Sequence, residues 1–155
     1  MPRKFLVVAD DTPEFGAALR YASRRARTTG GRVVLLRVIA ASSFEHWSGA
    51  REEIERQLRG EAEKLLARLG DEAAALSGSP PVFIIEEGDA KAAIKKAVAA
   101  DPEIKILVLG AAGGGRNPGP LIAAVVKEGA GFGARKLPVT IVPGDLSDED
   151  IEDLA

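Results

Sequence analysis

The chain contains no cysteine and a single histidine, His46, among its 155 residues. The absence of cysteine excludes disulfides, thiolate-bound zinc or iron–sulfur clusters, and a thiol nucleophile. A single histidine excludes a metal site built from several histidines of one chain, and it leaves His46 as the only imidazole base for a serine-type triad. No serine elbow of the pattern G-x-S-x-G accompanies it. The sequence therefore offers no nucleophile paired with a base, no catalytic residue and no metal site.

An excess of charge of one sign and long apolar runs are also lacking. Basic residues number 21 and acidic residues 23, so the chain has no electrostatic footprint for a nucleic-acid backbone. No apolar run approaches the roughly 18 residues of a membrane span. The first residues lead directly into a strand pattern without a signal-peptide core. These absences predict a cytoplasmic protein that binds neither nucleic acid nor a membrane.

The sequence does contain a regular alternation of strand-like and helix-like segments. Short apolar runs rich in β-branched residues are separated by stretches in which apolar residues recur at helical spacing. The predicted strands are Lys4–Ala9, Arg32–Ile39, Val82–Ile85, Ile104–Leu109 and Pro138–Val142. Because these strands are continuous apolar runs, helices should cover both faces of a parallel sheet. We predict an α/β fold with a single doubly wound domain.

Two features of the predicted helices can be tested against the structure. The first helix should begin after the first strand, with Thr12 or Asp11 as its N-cap. A long helix should span roughly residues 50–76. It contains Gly60, which costs about 1 kcal/mol relative to alanine and favours a bend or break.

The end of the chain differs in composition from the rest. From Gly144 onward, acidic residues dominate and few residues are apolar. This composition predicts a frayed or weakly helical tail. We therefore divide the chain into a domain of residues 1–143 and an acidic tail of residues 144–155.

In a doubly wound sheet, ligands bind at the carboxyl ends of the strands where the strand order reverses. The turn after the first strand is one candidate segment. It carries Asp10 and Asp11 where a dinucleotide fold would carry G-x-G-x-x-G, which argues against a hydride-transfer enzyme because carboxylates repel phosphate. Asp10 either accepts hydrogen bonds from a base amine or ribose hydroxyls, or serves only as a cap. Thr12 fits a cap better than a ligand group.

The glycine-rich segment after the fourth strand is the better candidate for binding an anion. It leaves a strand and enters a helix, so free N–H groups and the helix dipole would converge there. Gly113, Gly114 and Gly115 would allow close approach of the backbone, and Arg116 would add positive charge. The alternative is a flexible connection without a ligand.

The loop after the second strand contains the aromatic residues Phe44 and Trp47 on either side of His46. These side chains could pack over a base at the mouth of a pocket. We interpret them instead as an aromatic cluster that covers the end of the long helix or contacts a partner.

Several segments together resemble the universal stress protein family, over nearly the whole chain from Phe5 to Pro143. They are the first strand with its Asp10-Asp11-Thr12 ending, the Leu35–Val38 strand, the Gly88-Asp89 pair, the Ile106–Gly113 segment and the closing Leu137–Val142 strand. The resemblance implies a five-stranded parallel sheet in the order 3-2-1-4-5. It also implies a homodimer formed through the last strand, Val139 to Val142.

The resemblance further implies a site for ATP or another adenine nucleotide. In the ATP-binding branch of the family, an aspartate after the first strand and a valine backbone of the second strand hold the adenosine. The glycine loop and a later G-[ST] pair hold the ribose and phosphates. Carried over to this sequence, these roles fall to Asp10, Val38, Gly110 and Gly113.

The second half of the family's G-x-x-G-x9-G-[ST] motif is incomplete in this chain. After nine intervening residues, Gly113 is followed by Ala123 and Ala124, where the family has glycine and serine or threonine. Ala124 has no hydroxyl, and a lost hydrogen bond to a charged phosphate costs roughly 1.5–3 kcal/mol. We therefore expect weak nucleotide binding, with Gly114 and Gly115 as compensating contacts or with a smaller ligand.

The first functional hypothesis is thus a small dimeric stress-response or signalling module that binds an adenine nucleotide weakly and lacks efficient chemistry. One alternative is a family member that binds no nucleotide and acts only through protein partners. Another is a slow ATP hydrolase with a metal on Asp10 or Asp11. A phosphorelay receiver is disfavoured, because Glu86-Glu87 and Pro143-Gly144 stand where that class carries an acceptor aspartate and a lysine.

Overall fold

A computed structural model describes residues 3–39, 51–112, 120–128, 131–132 and 135–155 of the chain. The elements in chain order are β1 (Lys4–Val8), α1 (Phe15–Thr29), β2 (Arg32–Ile39), α2 (Arg51–Ser77), β3 (Val82–Glu87), α3 (Ala90–Ala100), β4 (Ile104–Ala111), α4 (Pro120–Glu128), β5 (Gly131–Phe132), β6 (Arg135–Lys136), β7 (Val139–Pro143) and α5 (Asp148–Leu154). None of the described helices is long and apolar enough to cross a membrane.

Five of the strands form one parallel sheet in the order β3-β2-β1-β4-β7. The predicted fold class and strand order are confirmed. The predicted fifth strand is β7, since the short antiparallel hairpin of β5 and β6 precedes it in the chain. β1 pairs with β2 on one side and with β4 on the other, so the strand order reverses between β1 and β4. The carboxyl ends of these two strands mark the expected place for a ligand.

Helices cover both faces of the sheet and divide the core into two clusters. Successive residues of a strand point to opposite faces of the sheet. The cluster beneath α1 and α2 contains Phe5, Val7, Val33 and Leu35. The cluster beneath α3 and α4 contains Leu6, Val8, Val34 and Leu36. Burial on both faces is the physical reason for the continuous apolar runs in the sequence.

The start of α1 differs from the sequence prediction. The helix begins at Phe15, and its N-cap residue is Glu14, whose side chain makes no capping hydrogen bond. The prediction of Thr12 or Asp11 as the N-cap was wrong. The N–H and hydroxyl groups of Thr12 both donate to the Asp10 carboxylate, which orders the preceding turn instead.

The long helix α2 continues through Gly60 without the predicted break. Leu58 and Ala62, on either side of the glycine, pack in the same apolar cluster as Ile39 and Ile85. Leu66, on the same helix, is 2% exposed, and fully burying one leucine side chain is worth about 1.5–3 kcal/mol, which exceeds the cost of about 1 kcal/mol for a helical glycine. Tertiary packing therefore keeps the helix continuous.

The end of the chain is more ordered than its composition predicts. Asp148–Leu154 form α5, and Ser147 and Asp150 make a reciprocal capping box at its start. Arg20 pairs with Asp148 at 2.7 Å, so acidic residues of α5 complement basic residues of α1. Ile151 is 1% exposed and belongs to the core beneath α1. The domain boundary at residue 144 stays a prediction drawn from composition.

An ion pair joins the start of β1 to the end of α3. Lys4 Nζ lies 2.7 Å from Asp101 Oδ2 and 3.6 Å from Glu103 Oε1. Burial raises the pKa of Asp101, but the hydrogen bonds from Lys4 and from the Glu103 backbone N–H outweigh it and hold that pKa below its usual value of 3.8. The pKa of Lys4 is raised, mainly by its hydrogen bond to Asp101.

These shifts predict how stability depends on pH. Because the pKa of Asp101 is lower in the folded state, its contribution is fully present above 3.8 and is lost as pH falls through the folded-state pKa. We expect Asp101→Asn to flatten the acid part of the plot of unfolding free energy against pH, measured by urea unfolding. Asp71→Asn, an exposed change on α2, should retain the wild-type slope. Equal slopes for the two variants would contradict this prediction.

Candidate functional site

A cavity of about 350 Å³ opens at the carboxyl ends of β1, β2 and β4. This volume is at the lower end of the range for small-molecule sites. The walls are mainly apolar, and a few polar groups lie among them, as is typical of such sites. The apolar lining includes Val7, Val8, Phe15, Val108, Leu109, Leu121 and Ile122. The polar side chains in the lining are Asp10, Thr12, Glu14 and Arg37.

Four of the predicted site residues lie together in this cavity. Asp10 and Thr12 line it from the turn after β1, Val38 from the end of β2, and Gly110 from the end of β4. The topology brings them together, because parallel strands end at the same edge of the sheet.

The remaining predicted residues are placed differently or are not described. Ala123 and Ala124 lie in the second turn of α4, which begins at Pro120, and neither lines the cavity. Ala123 is exposed. The free N–H groups of a helix belong to its first turn, and here Leu121 and Ile122 occupy that turn beside the cavity.

Gly113, Gly114, Gly115 and Arg116 lie outside the described residues, so the predicted anion site stays a prediction. The same holds for the aromatic loop, whose residues Phe44, His46 and Trp47 are also outside them.

The Asp10 carboxylate is oriented by its neighbour. Its Oδ1 atom accepts hydrogen bonds from both the N–H group of Thr12, at 2.9 Å, and the Thr12 hydroxyl. Its Oδ2 atom has no hydrogen-bond partner among the described residues. Thr12 thus acts as a support for Asp10, and one carboxylate oxygen remains available to accept a hydrogen bond from a ligand.

The backbone of Val38 presents a second polar group to the cavity. Along a strand, successive residues direct their N–H and C=O groups to opposite neighbouring strands. Leu36 accepts from Ala9 on the β1 side, and Ile39 accepts from Gly88 on the β3 side, so Val38 faces the β1 side. The β1–β2 ladder ends at the Val8–Leu36 pair, and no described backbone group bonds to Val38 there. A donor and an acceptor therefore lie side by side at the cavity wall.

The sequence reasoning missed Arg37, which also lines the cavity. Its Nη1 atom donates to the Ala9 carbonyl at 2.9 Å, and its Nη2 atom lies 3.3 Å from Asp11 Oδ2. A signal for it exists in the sequence. Arg37 is the one charged residue within the apolar run Val33–Ile39, which is predicted to be covered on both faces.

Glu14 is the second residue that the sequence reasoning missed. A Cβ atom added to Gly110 would collide with the Glu14 carbonyl oxygen and lie 2.9 Å from its carbon. A Cβ atom added to Gly144 would lie 2.6 Å from Glu14 Cβ. The turn before α1 is thus wedged against the ends of β4 and β7. Gly110 is required for this close approach, whatever ligand the cavity holds.

Within the described residues, no group of three or more histidine, cysteine, aspartate or glutamate side chains is arranged to hold a metal ion. The fold and the cavity together define a doubly wound α/β protein with a mainly apolar cavity at the switch point of its parallel sheet. The model of the universal stress protein family matches residues 1–129. The chain belongs to the universal stress protein family, as its motifs indicated.

Solved structures support the same fold. The universal stress protein UspA from Lactobacillus plantarum has 20% sequence identity and a TM-score of 0.72, covering 90% of this chain and 97% of that one. The hypothetical protein MJ0577 has 22% identity and a TM-score of 0.74, with coverages of 95% and 99%. A universal stress protein in complex with cAMP has 15% identity and a TM-score of 0.62, with coverages of 93% and 98%. A comparison with curated proteins finds no match.

Proposed function

We propose that this universal stress protein binds an adenine nucleotide in the cavity and acts as a small dimeric signalling module rather than as an enzyme. The observation that carries the proposal is the N–H and C=O edge of Val38, which has no backbone partner among the described residues and lies beside the Asp10 carboxylate in a mainly apolar cavity. The solved family member in complex with cAMP is consistent with an adenine ligand in this fold.

The geometry suits an adenosine group. Adenine carries a ring nitrogen that accepts a hydrogen bond next to an amino group that donates one, which complements the N–H and C=O groups of Val38. The apolar walls would contact the faces of the base. Asp10 Oδ2 would accept from a ribose hydroxyl, while Thr12 holds the other oxygen.

The phosphate groups are expected to contribute less than the adenosine. Asp10 and Glu14 place negative charge at the cavity, and Arg37 is the only cation in its described lining. Pro120, the first residue of α4, has no N–H group to donate to a phosphate. From the described lining we therefore expect ATP, AMP and cAMP to bind with similar, weak affinities, and a preference for ATP would point to the predicted anion site at Gly113 to Arg116.

Dimerisation through Val139 to Val142 is supported by the position of β7. Among the described strands, β7 pairs only with β4 and forms one edge of the sheet, where N–H and C=O groups are open to a further strand. Ile141, on β7, is 42% exposed. Together with Tyr21, Leu146 and Leu154 it borders a second, shallower groove of about 240 Å³.

A cytoplasmic location, as predicted from the sequence, would supply both ATP and its breakdown products. Hydrolysis is not part of the proposal, because the described site offers neither a metal cluster nor a base paired with a nucleophile. Protein partners would then distinguish the nucleotide-bound protein from the nucleotide-free one.

Equilibrium dialysis with ATP, AMP and cAMP tests the nucleotide proposal, and native mass spectrometry of the same protein reports dimers and any ligand carried through purification. Asp10→Asn should weaken binding about tenfold to a hundredfold, since a hydrogen bond to a charged group is lost. Asp71→Asn is the matched control for charge and should bind as the wild type does. Ala124→Ser should also have no effect, because residue 124 does not line the cavity.

The outcomes separate the alternatives. Absence of binding at millimolar-range nucleotide would leave the family member that acts only through protein partners. A gain of affinity in Ala124→Ser would show that the motif alignment, rather than the cavity lining, identifies the phosphate contact.

A further inference from the structure

The β1–β2 ladder ends abruptly at the place where the cavity begins. Ala9 still donates its N–H to the Leu36 carbonyl, at 2.7 Å. In a continued parallel ladder, the Ala9 carbonyl would accept the N–H of Val38. In this structure the Arg37 guanidinium takes that carbonyl instead, at 2.9 Å. One side chain thus occupies the acceptor that would otherwise pair with Val38.

We propose that Arg37 is a positioning residue for the ligand site, which keeps the Val38 edge unpaired by holding the Ala9 carbonyl. This inference rests on the proposed adenine site for its consequence in binding. Its structural part, an open Val38 edge maintained by Arg37, stands on the hydrogen bonds of the free protein.

The two partners of the Arg37 guanidinium, Ala9 and Asp11, differ in how much they stabilise its position. The Arg37 side chain is 23% exposed, whereas that of Asp11 is 83% exposed. An ion pair with so exposed a carboxylate contributes little. The Ala9 carbonyl lies at the end of a buried strand, where an unsatisfied acceptor is costly. The bond to Ala9 is therefore the one that orders the guanidinium, and Asp11 is an accessory partner.

Arginine suits this place better than a shorter or neutral side chain. Its planar group presents several donors in a fixed geometry, so it can bond the Ala9 carbonyl and face Asp11 at once. Lysine can supply one donor to the carbonyl and should restore part of the arrangement. Methionine fills similar volume without any donor, and should release the Ala9 carbonyl to pair with Val38.

Amide hydrogen exchange followed by NMR tests the structural part in the ligand-free protein. In the wild type, the Val38 amide should exchange much faster than that of Leu36, which lies inside the ladder. In Arg37→Met, the Val38 amide should exchange roughly tenfold more slowly, because the ladder closes by one bond. In Arg37→Lys, the Val38 amide should exchange nearly as fast as it does in the wild type. Arg32→Met, the same change at the opposite end of β2, is the control and should leave Val38 unchanged.

Equilibrium dialysis with adenosine and with ATP tests the consequence for binding. Arg37→Met should raise the dissociation constant of both about tenfold, the expected loss of the Val38 contacts. Arg37→Lys should recover most of the affinity. If Arg37 only stabilised the fold, the Val38 amide would exchange faster in Arg37→Met than in the wild type, and Arg37→Lys would not recover the affinity. That result would overturn the proposal.

The results distinguish this inference from the proposed function. A protected Val38 amide in the wild type, or unchanged Val38 exchange and adenosine affinity in Arg37→Met, would overturn the role of Arg37. A protected Val38 amide in the wild type overturns the proposal even if the methionine variant does not fold. If the wild type binds neither adenosine nor ATP while Val38 exchange slows in Arg37→Met, the proposed function fails and the open edge maintained by Arg37 stands.

Discussion

Replacing Gly110 by alanine is expected to lower the free energy of unfolding by about 1–3 kcal/mol, the usual cost of inserting a methyl group into closely packed structure. The new Cβ atom would meet the backbone of Glu14, which no side-chain rotation can move away. The turn that carries Asp10 and Thr12 would have to shift, so ligand affinity should fall together with stability. Thermal and urea unfolding measure the first effect, and equilibrium dialysis the second.

Gly60→Ala is the matched control for Gly110→Ala. Gly60 is in the interior of α2, and apart from the helix's own backbone and the adjacent residues no atom of the described part of the chain lies within 4 Å of a Cβ atom placed there. Helix propensity therefore predicts a gain of up to about 1 kcal/mol. The same substitution should thus have opposite signs at the two positions. A stabilising Gly110→Ala would show that the turn before α1 is not wedged against β4.

Replacing Ile151 by alanine is expected to cost about 2–5 kcal/mol of stability, as for other large apolar residues in a core. Ile151 is 1% exposed and packs beneath α1, although it belongs to a segment in which nearly every neighbour is acidic. Asp153→Ala, two residues later on the same helix, truncates an exposed side chain outside the groove. It should change stability by less than about 0.5 kcal/mol.

The comparison of these two variants decides whether α5 is part of the folded domain. Urea unfolding of both variants, with the wild type alongside, gives the two differences directly. Equal small effects would mean that the last residues form the solvated tail predicted from composition, and that α1 does not depend on them.

The consequence for function is a physical connection between the end of the chain and the cavity. Glu14 contacts Gly110 of β4 and Gly144 after β7, and it borders the cavity with Asp10. β7 is also the strand through which we propose that two copies associate. A ligand that orders the turn before α1 would therefore act on residues next to the proposed dimer interface, which is a route by which binding could alter association.

By itself, the sequence determined the class of fold and the family, and the resemblance to that family implied the strand order. These features depend on patterns that are local in the chain: apolar runs such as Arg32–Ile39, the turn residues that end them, and the Gly110-x-x-Gly113 spacing. A strand buried on both faces must be apolar throughout, so its composition already indicates that helices cover both faces of the sheet. Parallel pairing then leaves few topologies.

Only the tertiary structure decided which groups meet at the cavity. The motif placed Ala123 and Ala124 at the phosphates, but α4 begins at Pro120 and turns Ala123 outward, because helix phase is set by packing and not by residue spacing. The hydrogen bond from Arg37 to Ala9, beside the open edge of Val38, joins residues that are distant in sequence. The packing of Ile151 beneath α1 does the same. Such contacts depend on where strands end and helices dock, and no local pattern encodes that geometry.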